Sequence, residues 1–203
     1  MKRFLPCLLL PCVLLTASRL SAAETPAMLD SSMQHVIDFA TGTPTWRSID
    51  DVVMGGISSS RMAVEEGVGV FSGVLSLENN GGFASVRTIP AAHDLGGFDG
   101  LVVRVRGDGK RYKLRLRTTD AFDGVSYQAE LAPPADRWVE VELPFDDFVA
   151  VFRGRRVAGA GSLDPEQIRT FGLLISDKQT GPFRLEIEWI AAVRRGEGGG
   201  DDS

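Results

Sequence analysis

The chain has 203 residues, a formal net charge of −5 at pH 7, 43% hydrophobic residues, and only two cysteines and two histidines. A chain of this length can bury one hydrophobic core that is stable without disulfides or structural metals. Because the acidic balance includes no basic tail to neutralise phosphates, the composition argues against nucleic acid as the main partner.

The N-terminus has the pattern of a secretory signal peptide. A basic start at residues 1–3 precedes an apolar run over residues 4–17, and small residues occupy positions 21–23. The run is too short to span a bilayer comfortably. We therefore expect cleavage near Ala23, an exported chain that is periplasmic or secreted, and no transmembrane segment in the mature protein. A lipid anchor at Cys12 is a competing fate, disfavoured because Pro11 stands where a small residue is needed.

The rest of the sequence is predicted to hold one domain. Residues 24–35 are polar and form a linker, residues 36–193 contain the periodic segments, and residues 194–203 are rich in glycine and charge. A tail of that composition is expected to be disordered because it cannot bury enough apolar surface to order itself.

Period-two alternation of apolar and polar residues predicts β-strands along the domain. The predicted strands are residues 70–77, 83–89, 101–106, 112–117, 125–131, 138–143, 171–176 and 185–190. The uniformly apolar segment 171–176 is typical of a strand in the middle of a sheet. Gly107-Asp108-Gly109 predicts a tight hairpin between 101–106 and 112–117, since glycine supplies the positive φ that such turns demand.

Helix signals are few. Asp164 as a cap followed by Pro165 predicts one short helix within residues 163–169. Many short strands separated by turns, with at most one or two short helices, predict an all-β jelly-roll or sandwich.

Catalytic and metal-binding constellations are weakly supported by the sequence. No Gly-x-Ser-x-Gly motif is present, His35 stands near the start of the domain, and His93 is expected in a loop. Two distant histidines and no mature cysteine disfavour zinc, so no metal or cofactor is predicted. Calcium remains open, because Asp50-Asp51 or the 120–124 segment could supply oxygens, although turn capping by these aspartates is the favoured interpretation.

Two pairs of glutamates raise the possibility of glycoside hydrolysis. Glu140 with Glu142, and Glu186 with Glu188, each share a strand face. The favoured interpretation is cross-strand pairing with basic residues on a solvated sheet, with a polar ligand platform and a glycosidase using Glu140 or Glu186 as alternatives. The basic residues are Arg104, Arg106, Lys113, Arg115 and Arg117, placed by alternation on the outward face of the predicted hairpin.

Arg87 has a less ordinary position. Alternation places it on the same face as Phe83, Ser85 and Ile89, so its guanidinium is expected against apolar surface and needs a carboxylate or a ligand. The candidate carboxylates are Asp50, Asp51, Glu78 and Asp99.

An ordered series of motifs resembles the complex I intermediate-associated protein 30 family over residues 36–193. The motifs are Trp46-Arg47-Ser48-Ile49-Asp50-Asp51-Val52-Val53-Met54-Gly55-Gly56-Ile57-Ser58, Phe71-Ser72-Gly73, Gly82-Phe83-Ala84-Ser85-Val86-Arg87, Phe98-Asp99-Gly100-Leu101, Arg104-Val105-Arg106-Gly107-Asp108-Gly109, Trp138 leading to Leu143-Pro144-Phe145, and Gly181-Pro182-Phe183. The resemblance implies a galactose-binding-like jelly-roll β-sandwich. It also implies kinship with mitochondrial assembly factors that help respiratory complex I form and have no catalytic activity.

Within the first of these motifs we expect a mainly structural role. Asp50 and Asp51 are expected to accept hydrogen bonds from backbone amides of the following turn, the apolar residues 52–54 to plug the end of the sandwich, and Gly55-Gly56 to permit a close backbone crossing. A ligand site remains possible because loops at the end of a sandwich often carry one.

These observations lead to a functional expectation. We expect a non-catalytic exported binding domain, a protein-binding or assembly factor, with a carbohydrate-binding module as the alternative. Candidate binding residues are Arg87, Arg104, Arg115, Tyr127 and Gln128, with Asp50 and Asp51 beside them. Rings that could stack on a sugar are Trp46, Tyr112, Tyr127 and Trp138, and all but Trp46 are expected on apolar strand faces.

Overall fold

The computed structural model describes residues 33–194, which form two packed antiparallel sheets. The strands are β1 (Met33–Asp38), β2 (Trp46–Ser48), β3 (Ser59–Glu65), β4 (Val68–Leu75), β5 (Ala84–Thr88), β6 (Gly100–Arg106), β7 (Tyr112–Arg117), β8 (Ser126–Leu131), β9 (Val139–Pro144), β10 (Val149–Phe152), β11 (Arg155–Arg156), β12 (Thr170–Ile175) and β13 (Gly181–Val193). The predicted signal peptide and most of the predicted linker and tail lie outside the described residues. Strand β1 begins at Met33, inside the stretch predicted as linker.

The strand order defines a β-sandwich. One sheet has the order β3-β4-β13-β6-β9, with β1 also paired to β13, and the other has the order β11-β10-β8-β7-β12-β5-β2. Residues 33–194 contain no α-helix, and their helical segments are four 3₁₀ turns of three or four residues. The predicted all-β, galactose-binding-like jelly-roll sandwich is therefore confirmed.

The core lies between the two sheets and is built by the alternation seen in the sequence. On β7, Tyr112, Leu114 and Leu116 are fully buried while the intervening basic residues face outward. The rings of Phe71 and Phe183 pack with centroids 4.9 Å apart, and Tyr112 lies edge-on to Phe71. Burial of these faces is the main favourable contribution to folding.

Strand β12 occupies the position predicted for an apolar strand. It pairs with β7 on one side and β5 on the other, and all six of its residues are buried. A strand bonded on both edges and covered on both faces is expected to be apolar throughout.

The predicted hairpin between residues 101–106 and 112–117 is wrong. Strand β6 pairs with β13 and β9, whereas β7 belongs to the opposite sheet and pairs with β8 and β12. The connecting loop crosses the end of the sandwich, where Asp108 accepts hydrogen bonds from the Tyr112 hydroxyl at 2.8 Å and the Arg184 amide at 3.0 Å. Glycines suit a sheet-to-sheet crossing as well as a two-stranded turn, so the local pattern could not distinguish them.

The predicted helix at residues 163–169 is reduced to a 3₁₀ turn at Pro165–Gln167. Asp164 caps this turn by accepting a hydrogen bond from the Glu166 amide at 3.1 Å. The capping signal was therefore read correctly, but the segment is too short to continue as an α-helix.

A cluster of aspartates and serines joins the two sheets at one edge; we call it the aspartate–serine cluster (Asp50, Asp51, Ser58, Ser60 and Ser85). Asp50 accepts from the amide and hydroxyl of Ser60 on β3, at 2.9 and 2.6 Å, and from the amide of Ser85 on β5, at 2.9 Å. Since β3 and β5 belong to different sheets, one carboxylate holds both. Asp50 does accept from backbone amides, but they belong to strands β3 and β5 and not to the following turn, so that prediction is wrong in its partners.

Asp51 is fully buried within this cluster. Its carboxylate accepts hydrogen bonds from the Ser58 amide at 2.9 Å, the Ser58 hydroxyl at 2.5 Å and the Gly82 amide at 2.7 Å. Burial alone would raise the pKa of Asp51, but these donors favour the charged form and the net effect lowers the pKa. A Cβ on Gly56 would overlap the carboxylate, so the expected close approach at this glycine pair is to the Asp51 side chain.

The residues between Asp51 and Gly55 do not plug the sandwich, and that prediction is wrong. Asp51–Met54 form a 3₁₀ turn in which Val52, Val53 and Met54 have exposed fractions of 62, 70 and 59%. We call these three side chains the apolar prong. The aspartates anchor the base of the turn, and its apolar side chains project outward.

Replacing the buried Asp51 carboxylate tests this anchoring. Asp51→Asn turns an acceptor-only group into one that presents N–H toward other donors, and we expect a loss of about 2–3 kcal/mol in the free energy of unfolding at pH 7. Urea denaturation measures this loss. Asp147→Asn, an exposed change with the same chemistry, is the control and should be neutral.

The difference in stability between the wild type and Asp51→Asn is expected to depend on pH. Because the folded pKa of Asp51 lies below its unfolded value, its stabilisation is complete above about pH 4 and declines as pH falls through the folded pKa. The difference between wild type and Asp51→Asn should therefore shrink in acid. A difference that stayed constant or grew below pH 4 would contradict a charged Asp51 in the fold.

Candidate functional site

The outer face of the β2-to-β11 sheet carries a groove of about 680 Å³. Strands β5, β7, β8 and β12 form its floor, and the loop that contains Phe122 and the apolar prong form part of its rim. A second depression of about 480 Å³ shares Ile49, Val53, Arg87 and Phe122 with it. Cavities of this size are typical of ligand-binding sites.

Register pairing places a row of polar groups across the floor. Going from β2 to β8, the directly opposed residues are Arg47, Arg87, Gly172, Arg115 and Gln128. Gly172 has no side chain between the two central arginines, and its backbone is buried. A Cβ at this position would lie 3.1 Å from the Val86 carbonyl oxygen and 3.6 Å from the Arg115 Cβ.

The groove lining is basic although the chain is acidic. Five cationic side chains and two carboxylates line it, against a net charge of −5 for the whole chain. The lining charges are Arg87, Lys113, Arg115, Arg117, Arg153, Asp123 and Asp177.

Both carboxylates are engaged by two of the five cations. Lys113 donates to Asp177 at 2.8 Å, and Arg153 donates to Asp123 at 2.7 Å. Arg87, Arg115 and Arg117, which we call the arginine triad, have no carboxylate within ion-pair distance among residues 33–194.

Neutral oxygens are the hydrogen-bond partners of the triad. Arg87 donates to the Phe122 carbonyl at 3.0 Å, and Arg117 donates to the Gly124 carbonyl at 3.1 Å. Arg115 donates twice to the Gln128 side-chain oxygen, both at 3.2 Å. The predicted carboxylate partners of Arg87 are therefore wrong. Its charge lies over the Phe122 ring, 5.0 Å from the centroid.

Burial and mutual repulsion act on the triad together. Burial, followed by the nearby charges of Arg117 and Arg87, lowers the pKa of Arg115 to about 10. Burial and the charge of Arg117 also lower the pKa of Arg87, with Asp123 opposing them. The three guanidiniums stay charged at neutral pH, so the groove holds concentrated positive charge in a partly desolvated place.

The opposite sheet uses its arginines differently. Arg104 donates to Glu188 at 3.3 Å and lies 3.5 Å from Glu140, while Arg106 and Arg184 both bind Glu186. The predicted cross-strand pairing of arginine with glutamate occurs on this face. The prediction that Lys113, Arg115 and Arg117 share that face is wrong, because β6 and β7 lie in different sheets.

The candidate binding residues fall in three places. Arg87, Arg115 and Gln128 lie together on the groove floor, whereas Arg104 is on the outer face of the other sheet. Tyr127 is buried and points into the core, and its hydroxyl donates to the Ala160 carbonyl at 3.3 Å. Asp50 and Asp51 belong to the aspartate–serine cluster at the edge of the groove.

The groove also contains residues that the sequence interpretation did not single out. Arg117, Gly172 and Phe122 share it with Arg87 and Arg115, and Phe122 is 70% exposed. Alternation had placed Arg117 outward, but the pairing of β12 between β5 and β7 was needed to bring Arg87 and Arg117 together. Phe122 lies in a loop with no periodic signal.

The remaining rings and imidazoles lie elsewhere. Trp46 packs partly buried against Phe39 and donates to the Thr43 hydroxyl at 3.0 Å. Trp138 lies beside Arg106 on the other face, and not on an apolar strand face as predicted.

His93 packs edge-on against Phe171, with a pKa lowered by burial and then by Arg169. Within residues 33–194 neither His93 nor His35 hydrogen-bonds a hydroxyl group.

The carboxylates considered for calcium already have protein partners. Asp120 pairs with Arg169 at 2.6 Å and Asp123 with Arg153, while Asp50 and Asp51 accept from serines and backbone amides. Among the described residues, no three His, Cys, Asp or Glu side chains gather as metal ligands would.

Comparison with known families identifies the class of protein. The sequence model described as complex I intermediate-associated protein 30 matches residues 37–187. The chain therefore belongs to the complex I intermediate-associated protein 30 family.

Similar curated proteins include mitochondrial members of that family. The chain is 33% identical to complex I intermediate-associated protein 30 of Mus musculus over 103 residues, covering 49% of this chain and 31% of that protein. It is 25% identical to the Drosophila melanogaster protein over 190 residues, covering 82% of this chain and 62% of that protein. The chain thus spans less than two thirds of either relative. An uncharacterized protein of Schizosaccharomyces pombe is 28% identical over 169 residues, covering 73% of this chain and 77% of that protein.

Solved structures with this fold include carbohydrate-binding modules. The family 11 module of a cellulosomal cellulase of Clostridium thermocellum superposes with a TM-score of 0.62 and 16% identity, covering 80% of this chain and 95% of the module. An agarase superposes with a TM-score of 0.56 and 9% identity, covering 81% of this chain and 25% of the enzyme. At these identities the likeness establishes the fold only. Within residues 33–194 no helix is long and apolar enough to span a membrane.

The contrast between the two arginine sets can be measured. Arg115→Gln removes a charge that is partly buried and repelled, so we expect the melting temperature to stay constant or to rise by up to a few degrees. Arg106→Gln leaves Glu186 with only Arg184 and should cost about 1–2 kcal/mol. Calorimetry of the two variants compares the same substitution on the two faces. A larger loss for Arg115→Gln would show that this arginine serves mainly to stabilise the fold.

Proposed function

We propose that this chain is a non-catalytic binding domain that acts as an exported protein-binding or assembly factor. The observation that carries the proposal is the groove, whose positive charge is concentrated in the arginine triad, with no carboxylate at ion-pair distance from it among residues 33–194. Folding stability does not require such an arrangement, whereas a partner that brings negative charge would complement it.

The absence of assembled reactive groups supports a binding role over a catalytic one. The glutamates considered for glycoside hydrolysis are engaged on the other sheet: Glu186 is bound by two arginines, and Glu140 lies beside Arg104. Within the described residues no imidazole approaches a hydroxyl in the way that nucleophile activation requires.

The names of the relatives support an assembly role. Proteins called complex I intermediate-associated protein 30 are similar to this chain along its domain, and their name describes association with an assembling complex. We transfer only that general role, association with a protein partner, and we place it in the exported setting that residues 1–23 predict. The partner's identity is left to experiment.

A carbohydrate-binding role is the second candidate. It is favoured by Phe122, an exposed ring on the groove beside the polar Arg87, in a fold shared with carbohydrate-binding modules. Against it, the only strongly exposed aromatic ring among the described groove residues is already covered by the Arg87 guanidinium, and a neutral sugar would leave the triad unmatched.

Site-specific crosslinking tests the protein-binding proposal. A photo-reactive phenylalanine analogue at Phe122, in chain expressed in its native envelope, should crosslink to one discrete protein, and the crosslink should be lost in Arg115→Glu. The same analogue at Glu142, exposed on the other sheet, is the control. The captured protein is then purified and its affinity is measured by titration calorimetry. The proposal fails if only the Glu142 probe crosslinks, or if the purified chain turns over a substrate.

A glycan array separates the two candidates. If the protein-binding proposal holds, neither the wild type nor Trp46→Ala binds neutral glucans. Trp46 packs against Phe39, away from the groove. Glucan binding that Phe122→Ala abolishes and Trp46→Ala leaves intact would instead favour the carbohydrate-binding role at the same groove.

A further inference from the structure

The arginine triad has far more hydrogen-bond donors than the protein uses. Each guanidinium carries five N–H groups, and only four of the fifteen are engaged by protein acceptors among residues 33–194. These four hydrogen bonds end on three neutral oxygens, which bind a guanidinium less strongly than carboxylates do. All three arginines that carry the unused donors line the groove.

The spacing of the triad is set by the sheet. Arg115 and Arg117 lie two residues apart on β7, so they share a face and their Cα atoms are separated by about 6.6 Å. Arg87 lies across Gly172, two strands from Arg115, at about 10 Å. Because Gly172 adds no side chain, no third side chain separates Arg87 from Arg115 along this row.

An extended peptide has the same spacing between alternate residues as Arg115 and Arg117 have on β7. Residues i and i+2 of an extended chain project to the same side, about 6.6 Å apart. Two acidic side chains separated by one residue would therefore face Arg115 and Arg117 at matching spacing. Two adjacent acidic residues would point to opposite sides and could present only one carboxylate to β7.

The rim of the groove offers an apolar complement. Val53 and Met54 of the apolar prong line the groove and Val52 lines the adjoining depression, all at more than half exposure. The aspartate–serine cluster holds the base of this turn. Large apolar side chains held exposed beside a charged groove mark a surface for a partner with both apolar and charged groups.

We propose that the groove binds an extended acidic segment of a protein partner, with carboxylates at alternate positions facing Arg115 and Arg117 and apolar residues against the apolar prong. This inference rests on the proposed protein-binding function and specifies the chemistry of the partner. Arg87, on the other side of Gly172, adds its positive charge to the attraction. The juxtaposition of an unneutralised triad and an exposed apolar turn distinguishes a peptide from a free anion or a neutral glycan.

Synthetic peptides test the proposal without knowledge of the natural partner. The probe is acetylated and amidated Leu-Leu-Ser-Glu-Ser-Glu-Ser, and its matched controls carry glutamine for both glutamates, serine for both leucines, or the adjacent order Ser-Glu-Glu-Ser. Titration at low salt, followed by side-chain NMR of the arginines, measures binding to the full chain. Inorganic phosphate and phosphatidylglycerol vesicles are further arms.

The expected results form an order of affinities. The alternating peptide binds best, the adjacent-glutamate peptide binds about fivefold more weakly, and the glutamine peptide shows no measurable binding. Arg115→Gln and Arg117→Gln each weaken the alternating peptide about tenfold, whereas Arg104→Gln, the same change on the other sheet, leaves it unchanged. Val53→Ser weakens it but does not affect phosphate binding. Since the peptide controls need no protein variant, the result does not depend on the folding of any mutant.

Several outcomes would overturn the inference. Equal binding of the glutamate and glutamine peptides, or equal binding to wild type and Arg115→Gln, would remove the role of the triad. Binding of phosphate or vesicles without peptide binding would assign the groove to a free anion or a membrane surface instead. If the Phe122 probe captures a partner whose affinity is insensitive to the triad, this inference fails while the protein-binding function stands. If the peptides bind as expected but no partner is captured, the acidic-peptide specificity of the groove stands, while the proposed function in the envelope fails.

Discussion

The buried carboxylate of Asp51 is the constraint on which the edge of this molecule depends. A charge removed from water is tolerated only where donors replace its hydration, and here the Ser58 and Gly82 groups do so. Asp50 extends the same network across the sandwich by binding Ser60 and Ser85 on opposite sheets. One polar cluster therefore closes the gap between two apolar layers and also fixes the turn that carries the apolar prong.

The aspartate–serine cluster fixes the base of the turn and leaves the apolar prong accessible to solvent. Val52, Val53 and Met54 follow directly after a fully buried residue, yet all three are exposed because the turn is held at its base and not by packing of its side chains. The groove floor is also rigid, since β12 is hydrogen-bonded on both edges and all its residues are buried. Exposed apolar and cationic groups are thus presented on elements that cannot easily rearrange, which lowers the entropy lost on binding.

Much of the fold could be predicted from alternation, and the errors have one physical origin. Alternation reports which face of a strand is buried, and on β7 it separated Tyr112 from Arg115 correctly. It does not report which strand lies alongside, so β6 and β7 were joined as a hairpin although they belong to different sheets. The same limit hid the triad: Arg87 and Arg115 are brought together only because β12 inserts between their strands. Turn chemistry was predicted correctly at Asp164 because capping is local, whereas the partners of Asp50 lie on distant strands that alternation does not bring together.

The arginines on the two outer faces of the sandwich have different partners. On one, Arg104 and Arg106 lie beside glutamates, an arrangement that a solvated sheet adopts without any partner. On the other, three guanidiniums repel one another around a glycine, although a glutamine at any of these positions would be expected to relieve the strain. Burial and the neighbouring like charges lower the pKa values of Arg115 and Arg87, so a carboxylate brought by a partner would stabilise their charged forms in this half-buried groove. The proposed acidic partner would therefore supply to the triad the negative charge that Glu140, Glu186 and Glu188 supply to the arginines of the other face.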